Sequence, residues 1–258
     1  MLPQPLYLAP PSTPSIREQV AAGRMGAILN PASGNGVPEK GLFGVDNAVW
    51  SGKYPGDRKY LRWLERFVPH SDRCLFVTAP DEVGNAFATA ARSRHMLKEI
   101  RAMGLPAALV AQDYMEFCPL WDWEDFDCFF VGGTTSWKLS PAAENLGRVA
   151  NSIGLWTHVG RVNSLLRYRR TRWARSVDGT FPQRAGPDRA IPIILGWRDA
   201  LLRDDDPPPG LFDLDDVPDD DLDLWDGGYD LAQWLPPGWP RWQKPSRPRP
   251  EHQQLALL

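Results

Sequence analysis

The sequence predicts a parallel α/β fold, a (β/α)8 barrel of the TIM type, and three observations carry that expectation. Short apolar segments recur between residues 26 and 177, helix-patterned or polar stretches separate them, and most of them end in an aspartate, an amide or a glycine pair. In a barrel, such strand ends gather on one rim, where barrel enzymes assemble their sites from loops distant in sequence.

The segments lie at 26–29, 42–45, 74–78, 107–111, 128–131, 155–158 and 175–177. Continuous apolar runs of this length read as strands buried on both faces, as a parallel sheet requires. They make seven, and the eighth is expected around 191–195 or as an irregular unit. The clearest helix is 82–103, where Val83, Phe87, Ala90, Ala91, Met96, Leu97 and Ile100 recur near a 3.6-residue period and Gly104 follows as a stop. An open, doubly wound sheet has the same alternation and is the alternative architecture.

Composition divides the 258 residues into a barrel over 1–203 and an acidic, Pro- and Trp-rich extension over 204–258. Residues 204–226 hold 11 Asp and no Lys or Arg, and setting them aside leaves 29 basic against 21 acidic side chains, a balance of +8. Arg161, Arg167, Arg169, Arg170, Arg172 and Arg175 fall in one stretch without an acid. Such a patch suits a polyanion, although a run of Arg also serves as a solvated helix face. Trp225, Tyr229, Trp234, Trp239 and Trp242 are many aromatics for a solvated tail, so the extension is expected to wrap the barrel irregularly and end loosely.

The three cysteines, Cys74, Cys118 and Cys128, form no CxxC pair and have no histidine at metal-ligand spacing. No disulfide framework and no zinc site is expected, and a reducing cytoplasm fits. Met1-Leu2-Pro3-Gln4-Pro5 lacks a basic segment followed by an apolar core, and no apolar run reaches the roughly 18 residues of a membrane span. No membrane partner is expected.

The strand-end signatures are Val45-Asp46-Asn47, Ala79-Pro80-Asp81, Ala111-Gln112-Asp113, Val131-Gly132-Gly133-Thr134-Thr135, His158-Val159-Gly160-Arg161 and Val177-Asp178-Gly179-Thr180. Any one aspartate after a strand also reads as the N-cap of the next helix, and Asp81, beside Glu82, invites that reading most directly. The set as a whole exceeds what capping needs. Two carboxylates in one pocket suit substitution at an anomeric carbon: one attacks the sugar, while the other moves protons for the leaving and entering groups. Gly132 and Gly133 let backbone approach a flat ligand, and Gln112 with Asp81 offers acceptors and donors for a purine edge.

At these residues the chain resembles the queuine tRNA-ribosyltransferase (tRNA-guanine transglycosylase) superfamily, and within it the phage and bacterial branch that inserts 7-deazaguanines into DNA. The resemblance runs from about residue 26 to 187. It rests on Phe130-Val131-Gly132-Gly133-Thr134-Thr135-Ser136-Trp137-Lys138-Leu139, His158-Val159-Gly160-Arg161-Val162-Asn163-Ser164 and Ser176-Val177-Asp178-Gly179-Thr180. It implies that Asp178 is the nucleophile, in a motif that is Phe-Asp-Cys in the tRNA enzymes and Val-Asp-Gly here, and that Asp46 is the general acid/base. It further implies base contacts from Asp81, Gln112, Gly132 and Gly133, and His158, Arg161 and Asn163 belong to its motif; His158 is expected at the base, and Lys138, Arg161 and Asn163 with Arg167, Arg169 and Arg170 of the basic stretch are expected to contact the nucleic acid. Lys138 and Trp137 read equally as contacts to phosphate and base or as packing of the rim.

The tRNA enzymes carry a Cys-x-Cys-x-x-Cys zinc site after the nucleophile strand, whereas the last cysteine here is Cys128, upstream of Asp178. At Val83, where those enzymes place a cysteine near the base, the pocket is expected to be less polar. These departures favour the compact DNA-modifying branch. The implied partners are DNA, a free 7-deazaguanine such as 7-cyano-7-deazaguanine, and an accessory protein if target specificity comes from outside. The alternatives are a tRNA-modifying enzyme and a non-catalytic barrel that only binds nucleic acid.

Overall fold

In the computed structural model, which describes residues 4–203, eight parallel strands close into a barrel in sequence order. They are β1 (Leu6–Ala9), β2 (Gly26–Leu29), β3 (Phe43–Val45), β4 (Cys74–Thr78), β5 (Ala107–Ala111), β6 (Cys128–Val131), β7 (Trp156–Val159) and β8 (Ser176–Asp178). The helices are α1 (Pro14–Ala21), α2 (Asp57–Leu64), α3 (Ala86–Ala102), α4 (Thr135–Lys138), α5 (Pro141–Ser152), α6 (Leu165–Arg170), α7 (Phe181–Ala185) and α8 (Pro187–Arg203). Closure excludes the open doubly wound sheet, because β1 pairs with both β2 and β8. The extension over 204–258, expected to wrap the barrel, lies outside the described residues.

Seven strands fall where the apolar segments place them, within a residue at each end. The remaining strand does not. Residues 191–195 lie inside α8, which buries Ile191 and Ile194, while the missing strand is β1 at the start of the chain. A short apolar run does not by itself distinguish a strand from one face of a helix. β1 has only four residues between Pro5 and Pro10, and its pairing settles its identity: Leu8 sits opposite Gly26 on one side and Asp178 on the other.

α3 begins four residues after the expected start at 82. Asn85 is its N-cap, its side-chain oxygen accepting from the Ala88 N–H at 3.0 Å. That leaves Asp81 free of capping duty. At the other end Gly104 takes φ +78°, the left-handed conformation that glycine enters without a Cβ penalty.

Side chains alternate across each strand, so every second residue enters the barrel. Leu6, Leu8, Ile28, Phe76, Ala108, Val110, Cys128 and Phe130 form the interior cluster. Gly44 makes room for the Phe76 ring; a Cβ there would lie 2.4 Å from its Cζ atom. The intervening residues face the helices, as where Phe43 meets Phe67 at 5.7 Å between ring centres. The same alternation continues past the apolar plug to the C-terminal rim, where it points Asp178 inward, two residues above Ser176. No helix among the described residues is long and apolar enough to cross a membrane.

Candidate active site

Asp46 follows β3 directly, its backbone N–H continuing the ladder to the Leu29 carbonyl at 2.8 Å. Its Oδ2 accepts from the Ala48 N–H at 3.0 Å, in a turn where Ala48 takes φ +65°. The next residue, Asn47, is buried and donates from Nδ2 to the Ala79 carbonyl at 2.8 Å and to Asp81 Oδ1 at 3.0 Å. Gln112 donates from Nε2 to the other Asp81 oxygen at 2.6 Å. The Asp81 carboxylate is thus held by two amides from neighbouring strand ends.

Asp178 closes β8 and keeps 16% of its side chain exposed. Its Oδ1 accepts from the Arg161 backbone N–H at 2.8 Å, and its Oδ2 lies 3.4 Å from Nε2 of His158, which is wholly buried. The Arg161 N–H can point there because that residue adopts φ +61° after Gly160. Gly179, next in the chain, has no space for a side chain: a Cβ would stand 2.4 Å from Asn163 Oδ1 and 2.6 Å from the Val162 carbonyl.

The two candidate reacting carboxylates titrate in opposite directions. Burial, reinforced by the charge of Asp178 and more weakly of Asp81, raises Asp46 to about 7, against lowering by the Ala48 and Asn47 N–H groups. Burial pushes Asp178 upward as well. In its case the His158 contact, the Arg161 N–H and the charge of Lys138 prevail and hold it below the ordinary aspartate value. Asp81 rises to about 6, burial outweighing the hydrogen bond from Asn47. Near neutral pH the rim therefore presents one carboxylate held ionised and one able to give or take a proton.

The structure brings Asp46, Asp81, Gln112, Gly132, Gly133 and Asp178 to one rim, and assigns several of them internal tasks. Gln112 Oε1 accepts from the Gly84 N–H at 2.9 Å and the Gly133 N–H at 3.0 Å, while the Gly132 N–H bonds to the Ala111 carbonyl at 2.9 Å. The N–H groups of the diglycine are therefore engaged inside the protein. The glycines are needed for packing: a Cβ at Gly132 would lie 2.9 Å from Gln112 Nε2, and one at Gly133 2.7 Å from Trp137.

Other expectations require correction. His158, expected to contact the base, lies wholly buried beneath Asp178, between the rings of Phe76 and Phe130. Lys138, which reads equally as a phosphate contact or as packing of the rim, is 2% exposed, and its charge acts on Asp178. Trp137 packs the rim, its indole N–H bonded to Glu116 at 2.9 Å. Arg167 is buried and donates to the Arg161 carbonyl at 3.2 Å, and Asn163 ties two loops together by accepting from the Phe181 N–H at 3.0 Å. The Arg161 guanidinium bonds to the Gly133 carbonyl and stacks 3.7 Å from the centre of the exposed Trp50 ring. Arg169 and Arg170 remain half-buried on α6.

Sequence reasoning missed Asn47 and Ser176. Asn47 follows Asp46 directly, and an amide next to a strand-end carboxylate was the available signal. Ser176 stands two residues before Asp178, so alternation alone places it on the same inward face.

No protein-family model matches the chain, and no curated protein matches it. Among solved structures the chain is similar to a structure of oxaloacetate acetylhydrolase in complex with the product oxalate, at 11% identity and a TM-score of 0.40, over 80% of this chain and 83% of that one. A likeness of that extent says nothing of chemistry.

Proposed function

We propose that the protein exchanges guanine in DNA for a 7-deazaguanine base through a glycosyl intermediate on Asp178. The observation that carries the reading is the pair of rim carboxylates with opposed titration, Asp178 lowered and Asp46 raised to about 7. Double displacement at a sugar carbon requires that division of roles. The motifs shared with the transglycosylase superfamily supply the choice of a nucleobase as the leaving group.

In the first step an oxygen of Asp178 bonds to C1′ of a guanine nucleotide as the bond from C1′ to N9 breaks, and protonated Asp46 gives its proton to the departing base. In the second, the Asp46 carboxylate takes the N9 proton of a free 7-deazaguanine such as 7-cyano-7-deazaguanine. That base bonds to C1′, and Asp178 leaves as a carboxylate. The target nucleotide must leave the helical stack first, because its anomeric carbon is closed to in-line attack within a duplex. A substituted base changes the major-groove edge that nucleases read, which suits protection of phage DNA from restriction.

The test is incubation of the full chain with DNA and 7-cyano-7-deazaguanine, then nucleoside mass spectrometry, with tRNA in a parallel reaction. Modified deoxynucleoside supports the reading. Modification of tRNA alone transfers the activity to the other substrate, release of guanine without incorporation indicates a glycosylase, and unmodified nucleic acid throughout overturns it.

A further inference from the structure

Beneath Asp178 a chain of polar groups runs down the inside of the barrel, through a region otherwise filled by apolar side chains. On β7, Trp156 and His158 face inward, and on the adjacent β8, Ser176 and Asp178 do the same, with His158 directly opposite Ser176. The Trp156 indole N–H donates to Ser176 Oγ at 2.8 Å, and Ser176 Oγ lies 2.8 Å from His158 Nδ1. His158 Nε2 then lies 3.4 Å from Asp178 Oδ2.

The donors and acceptors along this line favour one arrangement of protons. An indole nitrogen only donates, so Ser176 Oγ must accept from Trp156. A Ser176 hydroxyl hydrogen directed at His158 Nδ1, 2.8 Å away, makes Nδ1 the acceptor and leaves the ring hydrogen on Nε2, the arrangement that sets a donor rather than a lone pair against the acceptor-only Asp178 carboxylate. The rings of Phe76 and Phe130, at 4.6 and 4.5 Å between centres, keep the imidazole from turning over.

We propose that Trp156, Ser176 and His158 form a directed hydrogen-bond chain that sets the His158 tautomer and thereby orients Asp178. His158 is a positioning residue in this arrangement: it transfers no proton. Its Nε2–H steadies Oδ2 while the Arg161 N–H holds Oδ1, and it steadies the same carboxylate when Asp178 departs from the sugar. At 3.4 Å the pair is in ion-pair range and does not reach hydrogen-bond geometry, and contacts of this kind tighten when substrate arrives. The catalytic consequence rests on Asp178 being the nucleophile, whereas the chain itself does not.

Among the described residues, the groups that face Asp178 are His158 from β7, Lys138 from α4, Asp46 from the end of β3, and Tyr7 from β1, whose buried hydroxyl has no hydrogen-bond partner among them. Titration of Asp178 alone would therefore not single out His158. The tautomer does.

The experiment uses the full chain labelled with 15N in its histidines and 13C in its aspartate carboxyls. Spectra are assigned by the signals lost in His158→Gln and Asp178→Asn. The expected result is a His158 ring with a hydrogen on Nε2 and none on Nδ1. His158→Gln should move the Asp178 titration upward by about one to two pH units. Ser176→Ala, which leaves the ring and removes its anchor, should move it in the same direction by less. If His158→Gln does not fold, Ser176→Ala and Trp156→Phe carry the comparison. A hydrogen on Nδ1 in the wild-type protein, or an Asp178 titration unmoved in the folded variants, overturns the proposal. Absence of base exchange with the tautomer as expected would count against the proposed function and leave the chain standing.

Discussion

The guanidinium of Arg161 stacks 3.7 Å from the centre of the Trp50 ring, and this contact crosses the mouth of the barrel, because the loops after β3 and β7 stand four strands apart. The same guanidinium bonds to the Gly133 carbonyl after β6. Three strand ends are thus linked above the carboxylates. Arg161→Ala should uncover Trp50: acrylamide quenching should rise, and comparison with Trp50→Phe isolates that indole from the others. A partly exposed cation–π contact contributes about 0.5–1 kcal/mol, so the loss of stability should be of that order.

Removing the proposed nucleophile, Asp178, should stop the chemistry and spare the fold. On the proposed reading, Asp178→Ala is expected to bind DNA while forming no covalent adduct on denaturing gels, whereas the wild-type protein should form one. Asp46→Asn should slow exchange by about 10²–10⁴-fold, the range of general acid/base catalysis. In the wild-type pH profile a limb near pH 7 should report Asp46, raised to about 7, and it should be absent from Asp46→Asn. A limb that persists in that variant assigns it to another group.

Stability should follow pH in the opposite sense from an ordinary ion-paired aspartate. The folded value of Asp46 lies above its unfolded one, so the protein gains nothing from its ionisation: the penalty is absent below about pH 4, grows as pH rises, and is complete above about 7. Asp46→Asn should therefore stabilise the protein at pH 8, by at most about 4 kcal/mol at full linkage, and the gain should fade toward pH 4. Urea denaturation at the two pH values measures it.

Gln112 is a strut, joining Asp81 to the Gly84 and Gly133 N–H groups. Gln112→Ala leaves two donors and a carboxylate oxygen without their partner, which should cost on the order of 1–3 kcal/mol. Equal midpoints of urea unfolding for variant and wild type would contradict this.

Gly44→Ala tests the interior packing. Its new methyl meets the Phe76 ring at 2.4 Å, and such overpacking should destabilise by about 1–3 kcal/mol, read as a lower Tm. Because Phe76 packs against His158, the same change should disturb the His158 ring resonances.

Much of the architecture was legible because it is encoded locally. Runs such as Cys74–Thr78 and Ala107–Ala111 are apolar throughout since both faces of a barrel strand are buried, and the aspartates and glycines that follow them mark the rim. β1 was not legible, since four residues between prolines show no period and the strand is specified by its partners. For the same reason 191–195 reads as a strand until α8 encloses it.

At the site, the sequence by itself determined which carboxylates, amides and glycines stand at the strand ends. Only the tertiary structure decided what each one touches. Asp46 and Asp178 are alike in sequence, each following a valine at the end of a short strand, and both are half-buried; they differ because Asp178 meets His158 and the Arg161 N–H while Asp46 lies near two other carboxylates. Titration depends on neighbours and desolvation, which closure of the barrel supplies across more than a hundred residues of chain. Lys138 and Arg167 follow the same logic: their charge is written in the sequence, and their burial beneath the rim is a property of the fold.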